Sequence, residues 1–329
     1  MLEHGGNLRE ARRRFGGDDW LDLSTGINPH GYRPPLLPAS AWQRLPEADP
    51  ALADAACAFY GAPCMLPVAG TQAAIQALPR LRAPCRVTVS APSYAEHAHH
   101  WAAHGHQATL RPYAELAAAV AHSDVMVLCN PNNPTGATID APQLLEWAAA
   151  LAARGGVLVV DEAFADTDAR HSVARHAGQP GLIVLRSVGK FFGLAGIRVG
   201  FVAAEAALLE QLADMLGPWT ISGPAQQIAN AALRDHAWQA QTLATLAADG
   251  ARLQCLLAGA GLATSGTALF QWWPEKHPEA FQQHMAERRI WVRRFSHAAR
   301  GIRLGLPSDE AAWQRLHTAL NEWTQRCAP

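Results

Sequence analysis

The sequence predicts an α/β fold, with a large, mostly parallel sheet domain followed by a smaller C-terminal α/β domain. Three observations predict it. From about residue 85 to 203, short apolar runs rich in β-branched residues alternate with Ala/Leu-rich stretches, the pattern of parallel strands joined by crossover helices. The segment Gly217–Pro224 carries two Gly-Pro-type breakers and marks a domain boundary. The length, 329 residues, suits about two domains.

The elements follow in order. Residues 1–35, rich in Gly and Pro, read as an arm with a short helix over Leu8–Phe15. The large domain, 36–217, holds expected strands at Arg86–Ser90, Asp124–Cys129, Val157–Val160, Leu182–Arg186 and Val199–Ala203, with a helix over Ala141–Arg154. In the smaller domain, 218–329, the alternation fades. A long Ala/Leu/Gln stretch, Ala225–Leu257, reads as one helix, and mixed α/β segments follow.

Composition excludes several classes. There are 27 Lys+Arg against 28 Asp+Glu and 17% charged residues, so nothing draws the chain onto nucleic acid or an anionic membrane. A small-molecule protein is expected. No apolar run reaches the roughly 18 to 20 residues that span a bilayer, and the opening residues lack a signal-peptide core, which places the protein in the cytoplasm. The six cysteines, 57, 64, 85, 129, 255 and 327, form no C-x-x-C pair and read as reduced packing thiols.

One compositional fact points to chemistry. All but two of the 27 cationic side chains are arginine; the lysines are Lys190 and Lys276. A guanidinium stays protonated and is a poor nucleophile, so a surviving lysine is a candidate for work arginine cannot do. Lys276, in Pro274-Glu275-Lys276-His277-Pro278, reads as a surface loop residue. Lys190 instead follows a strand and opens an apolar, glycine-bearing stretch that ends at Arg198. Partial desolvation and a neighbouring cation favour a neutral, nucleophilic amine.

The surrounding loops suit a Schiff-base lysine and a pyridine cofactor. Each central strand ends in residues that a plain turn does not need, and ligands of parallel sheets bind at such carboxyl ends. Asp161, ending a strand, is the acid for a ring nitrogen. Tyr94 offers an aromatic face, and Asn133, in the Asn-Asn-Pro-Thr-Gly turn, a donor to the ring's 3'-oxygen. The loop Ala69-Gly70-Thr71, Ser187 and Arg198 offer amides, hydroxyl and charge for a phosphate.

In this order and spacing, the set resembles the pyridoxal-phosphate-dependent class I/II aminotransferases of fold type I, over about residues 20 to 310. The resemblance implies a pyridoxal 5'-phosphate cofactor bound covalently by Lys190, with Asp161 on the pyridine nitrogen, Asn133 on the 3'-oxygen and Tyr94 stacked on the ring. Ala69, Gly70, Thr71, Ser187 and Arg198 hold its phosphate. Gly301-Ile302-Arg303-Leu304-Gly305 matches the family's strand whose arginine takes the substrate carboxylate, which assigns that role to Arg303. A homodimer is implied as well. Two departures stand out: Arg44-Leu45-Pro46-Glu47 lacks the tyrosine that reaches a neighbouring subunit's cofactor, and Phe164 stands where aspartate aminotransferases place a tyrosine.

The opening His4-Gly5-Gly6-Asn7 with Glu10-Ala11 resembles the arm of the cobalamin-pathway L-threonine-O-3-phosphate decarboxylases, as do Asp22–Pro29 and Trp291–Phe295. That branch implies substrate contacts from His4, Asn28, Arg293 and Arg303, the arm lying over the active site. The reaction implied is decarboxylation of L-threonine O-3-phosphate to (R)-1-aminopropan-2-yl phosphate. A histidinol-phosphate-type aminotransferase is the alternative. A regulator that uses this fold as a sensor needs a DNA-binding module, which about 35 preceding residues cannot house. No metal is expected: His97, His99, His100, His104 and His106 read as a solvated histidine-rich helix face.

Overall fold

The computed structural model describes residues 4–296 and 299–327. The chain forms two compact units. The larger contains Gly31–Asn133 and Thr138–Ala240; the other contains the N-terminal residues through His30, Pro134–Ala137 and the residues from Gln241 on. These limits differ from the sequence-based ones at 35 and 217. The reason is packing: the helix Gly223–Arg234 lies against the helix Pro50–Tyr60 of the sheet unit. Gln226 ties this joint, donating to the carbonyls of Glu47 and Ile221 and accepting from Asp49 N–H, each at 3.1 Å.

Along the chain, a helix Leu8–Phe15 and a short strand β1 (Leu21–Leu23) come first. The larger unit then lays down β2 (Met65–Val68), β3 (Arg86–Ser90), β4 (Gln107–Arg111), β5 (Val125–Cys129), β6 (Val157–Asp161), β7 (Leu182–Ser187) and β8 (Gly200–Ala203). They form one sheet in the order β2-β8-β7-β6-β5-β3-β4. β8 runs antiparallel to both neighbours and every other pair is parallel. The stretch at 199–203 is thus the exception to the parallel pattern.

The central strands β5, β6 and β7 are apolar runs because helices cover both faces. One face packs Val87, Val127, Val159 and Ile183 against Ile75, Trp101 and Leu212. Two strands were not foreseen. β2 contains Pro67, and β4, at the sheet edge, is largely exposed and polar, so neither carries a buried strand's pattern.

The expected helix over 225–257 is two helices, Gly223–Arg234 and His236–Gly259. Asp235 interrupts them, its Oδ1 accepting from Trp238 N–H at 3.0 Å, an N-cap for the second. No described helix is long and apolar enough to cross a membrane.

The smaller unit adds β9 (Ser265–Thr267), β10 (Phe270–Pro274), β11 (Ile290–Phe295) and β12 (Gly301–Gly305), in the sheet order β1-β11-β12-β10-β9. β1 joins β11 in parallel and the other pairs are antiparallel. The arm is built into this unit. Asn7 caps the first helix, its Oδ1 accepting from Glu10 N–H at 3.1 Å, and Ala11 is buried against Ala286 and Trp291. Phe15 and Trp20 close over Trp291 at ring separations of 6.4 and 6.0 Å.

Cys57, Cys64, Cys85, Cys129 and Cys255 are free thiols, Cys255 exposed rather than packed; the side chain of Cys327 lies outside the described residues. Lys276 is exposed, Trp273 is buried and Trp272 half-buried.

Candidate active site

In the larger unit the chemistry gathers at the carboxyl ends of the strands. Asp161 closes β6 opposite Cys129 of β5 and is 5% exposed. Its Oδ1 accepts from Ala163 N–H at 3.0 Å, and His97 Nε2 lies 2.9 Å from its Oδ2. Burial opposes charge on His97, yet the hydrogen bond to Asp161, joined by Cys129, prevails and raises its pKa to about 10. His97 is therefore an imidazolium donor that holds a buried carboxylate in place. Tyr94 stands just before the helix Ala95–Ala103 that carries His97. Its hydroxyl donates to Gln72 Oε1 at 3.2 Å, and its ring meets His97 edge-on at 6.1 Å. Burial, then Glu96 and Asp161, raise its phenol pKa.

A second cluster forms where β2 runs into the helix Thr71–Ala77. Gly70 has φ +71°, and a Cβ there would lie 2.4 Å from Arg198 Nη2, so glycine lets the guanidinium sit against the turn. Arg198 itself is left-handed, at φ 56°. Gly200, paired with Ser187 across β7 and β8, approaches the same turn; a Cβ on it would lie 2.7 Å from Thr71 N. Ser187, Arg198 and the Ala69–Thr71 backbone thus lie together, with the kinds of donor that a phosphate monoester requires.

Lys190 follows Ser187 by three residues and is half-buried, with Nζ 5.1 Å from the centre of the buried Phe164 ring. Asn133 is half-buried in the turn after β5, where its neighbour Asn132 donates to Pro92 O at 2.9 Å. The primary amine of Lys190, the buried Asp161 carboxylate held by His97, and the grouped donors of Ser187, Arg198 and the 69–71 backbone fit the needs of pyridoxal 5'-phosphate.

The smaller unit holds the residues expected to contact substrate. Arg303 lies in the middle of β12, directly opposite Arg293 of β11. It is 6% exposed, and burial, then Arg293, push its pKa down to about 9 against the pull of Asp22. Its Nη2 donates to Ser24 O at 2.9 Å. Arg293 is half-buried, its guanidinium over the Phe295 ring at 4.9 Å. Asn28 is buried, and its Oδ1 accepts from His30 N–H at 2.8 Å. His4 is exposed at the head of the docked arm.

The histidine-rich helix corrects an expectation. His99 and His104 face solvent, but His97 and His106 are buried. His106 bridges Pro79 O (2.8 Å) and Cys85 N–H (3.2 Å), while His100 pairs with Glu96 at 3.0 Å. The i, i+3 spacing of Tyr94 and His97 was the available signal for the site role of His97. Among the described residues, His97, Cys129 and Asp161 form one group of metal-competent atoms, but its His–Asp pair is already a hydrogen bond.

The mostly parallel sheet, the lysine after its strand and the donors grouped beside it are those of a pyridoxal-phosphate-dependent enzyme of fold type I. The chain belongs to the aminotransferase class I and II family, whose model matches residues 19–319. It is 51% identical over 323 residues to a threonine-phosphate decarboxylase of Pseudomonas aeruginosa, covering 97% of each chain. It is 44% identical over 333 residues to one from Sinorhizobium sp., again with 97% of each covered. The fold is similar to that of a histidinol-phosphate aminotransferase from Sinorhizobium meliloti in complex with pyridoxal-5'-phosphate. That match has a TM-score of 0.84 at 22% identity, over 100% of this chain and 96% of that one. It is likewise similar to L-threonine-O-3-phosphate decarboxylase from Porphyromonas gingivalis, with a TM-score of 0.78 at 19% identity over 93% and 99% of the two chains.

Proposed function

We propose that the protein decarboxylates L-threonine O-3-phosphate to (R)-1-aminopropan-2-yl phosphate and CO2, a step of cobalamin biosynthesis. The observation that carries this reading is the pairing of Arg293 with Arg303 on adjacent strands. Arg303 is buried and Arg293 half-buried, so two guanidinium groups stand on neighbouring strands of one sheet, the donors that two anionic groups require. A phosphoamino acid brings two anionic groups. His4, Asn28 and Arg293 receive its phosphate, and Arg303 its carboxylate. The two relatives that match over nearly the whole chain support the same substrate.

Bound pyridoxal phosphate supplies an electron sink for the bond that breaks at the substrate Cα. The protein supplies the rest. Ser187, Arg198 and the Ala69–Thr71 turn would hold the cofactor phosphate, Asn133 would serve its 3'-oxygen and Tyr94 would offer its aromatic face to the pyridine. Asp161, held in place by His97 and Ala163 N–H, would be the partner of the ring nitrogen. Arg303 would hold the substrate carboxylate, the group that leaves as CO2. Lys190 Nζ would carry the proton that the substrate Cα takes up.

The same reading makes the protein a homodimer. Leu36, Trp42, Leu45 and Trp219 are large exposed apolar side chains of the larger unit that a second copy would cover. Full activity in a monomeric sedimentation peak overturns it. A cytoplasmic setting goes with a phosphorylated substrate that cannot cross a bilayer unaided.

The deciding experiment supplies O-phospho-L-threonine to the cofactor-loaded protein without a keto acid and assays CO2 and aminopropanol phosphate. Stoichiometric CO2 with continued turnover is expected. No CO2, with histidinol phosphate converting the cofactor to its amine form, makes the protein an aminotransferase.

A further inference from the structure

Ser24 is 1% exposed and joins two parts of the substrate set through its two oxygens. Its hydroxyl oxygen lies 2.7 Å from Gly6 N and 2.6 Å from Asp22 Oδ1. A hydroxyl has one proton and spare lone pairs, and a carboxylate only accepts. The directions are therefore settled: Ser24 Oγ donates to Asp22 and accepts from Gly6 N–H. Asp22 Oδ1 also accepts from Ser24 N–H at 2.9 Å, which orients the serine from both ends. On the other side, Ser24 O accepts from Arg303 Nη2 at 2.9 Å.

The arm presses on that same carbonyl. A Cβ on Gly5 would lie 2.3 Å from Ser24 O, so only glycine lets the backbone beside His4 come this close. The arm is thus pinned at Gly6 and seated at Gly5 on the residue that also holds the guanidinium.

We infer that Ser24 is a positioning residue that couples the His4-bearing arm to Arg303, so that both anion contacts are set at one separation. The inference rests on the substrate reading of His4 and Arg303 given above. It explains why glycines follow His4 and why a half-buried Asp22 is bonded to the buried Ser24 where neither side chain is assigned to the substrate itself. A substrate with both a phosphate and a carboxylate is gripped at two points, and Ser24 sets the distance between the grips.

The test uses the cofactor-loaded enzyme and two variants that break the joint from opposite sides, Ser24→Ala and Gly5→Ala. Amide hydrogen exchange at Gly6 is followed together with kcat and KM for O-phospho-L-threonine. Both variants are expected to keep the cofactor absorbance, to lose at least tenfold of the exchange protection at Gly6, and to raise KM about tenfold or more with kcat changed less than threefold. Unchanged protection at Gly6 in Ser24→Ala overturns the anchor. Lost protection with unchanged KM overturns the coupling. A wild-type enzyme that releases no CO2 from O-phospho-L-threonine defeats the substrate reading instead, and the exchange measurement still decides the anchor.

Discussion

His97 Nε2 lies 2.9 Å from Asp161 Oδ2, and both side chains are almost wholly buried. Hydrogen bonds to charged groups contribute about 1.5–3 kcal/mol, or roughly tenfold to a hundredfold in an equilibrium or rate. Replacing His97 by Phe is expected to weaken pyridoxal phosphate binding and lower kcat by factors in that range; absorbance titration and CO2 assay measure them. The pH dependence follows from a pKa raised to about 10 in the fold from an ordinary 6.5. The stabilisation is fully present below about pH 6.5 and is lost as pH rises through 10. The difference in melting temperature between wild type and His97→Phe should shrink over that window.

Gly70→Ala places a methyl 2.4 Å from Arg198 at a positive φ. The backbone strain alone is about 1–2 kcal/mol, and relieving the contact moves the guanidinium away from the Ala69–Thr71 turn. The dissociation constant for pyridoxal phosphate should rise about tenfold or more, with Ser187 and Lys190 untouched. Equilibrium dialysis of the reduced-background protein against free cofactor checks this.

Arg303 serves both stability and function. Its buried guanidinium donates to Ser24 O; burial and then Arg293 oppose its charge, and Asp22 favours it. Arg303→Met leaves that buried carbonyl without its donor, a loss of about 1–3 kcal/mol, and should melt below wild type, while kcat/KM for O-phospho-L-threonine falls by about a hundredfold or more. Calorimetry and steady-state kinetics on one preparation test both halves.

His284 makes the smaller unit sensitive to acid. Its Nε2–H donates to Ala319 O at 2.8 Å, and its Nδ1 is buried with no hydrogen-bond partner. Burial lowers its pKa, with Arg288 and Arg326 adding to the effect after the Ala319 bond has opposed it. The folded state keeps the neutral ring, so stability from this site is present above pH 6.5 and is lost as pH falls below it. His284→Gln should flatten the wild-type decline in melting temperature between pH 7 and 5.

Much of the larger unit was legible in the sequence because its central strands are buried on both faces. Val157-Leu158-Val159-Val160 carries its own strand signal, and the scarcity of lysine isolates Lys190. What escaped depends on partners distant in sequence. β2 and β4 look like loops until β8 and β3 pair with them. His97, among four other histidines, reads as solvent-facing until the carboxylate of Asp161, 64 residues away, closes on it. The break at Asp235 was hidden because a helix-favouring composition runs through it; the cap becomes apparent only with the Trp238 hydrogen bond.

The two lysines differ in their surroundings, Lys276 exposed on a loop and Lys190 half-buried beside Phe164. That contrast turns the protein into its own labelling standard. An amine-directed acylating reagent finds two side-chain targets: Lys276 reports the reagent dose, and Lys190, in the cofactor-linking role proposed for it, reports how much of the preparation lacks cofactor. The same scarcity limits stray adducts when excess aldehyde is added during loading, so borohydride reduction followed by peptide mapping counts occupied sites directly.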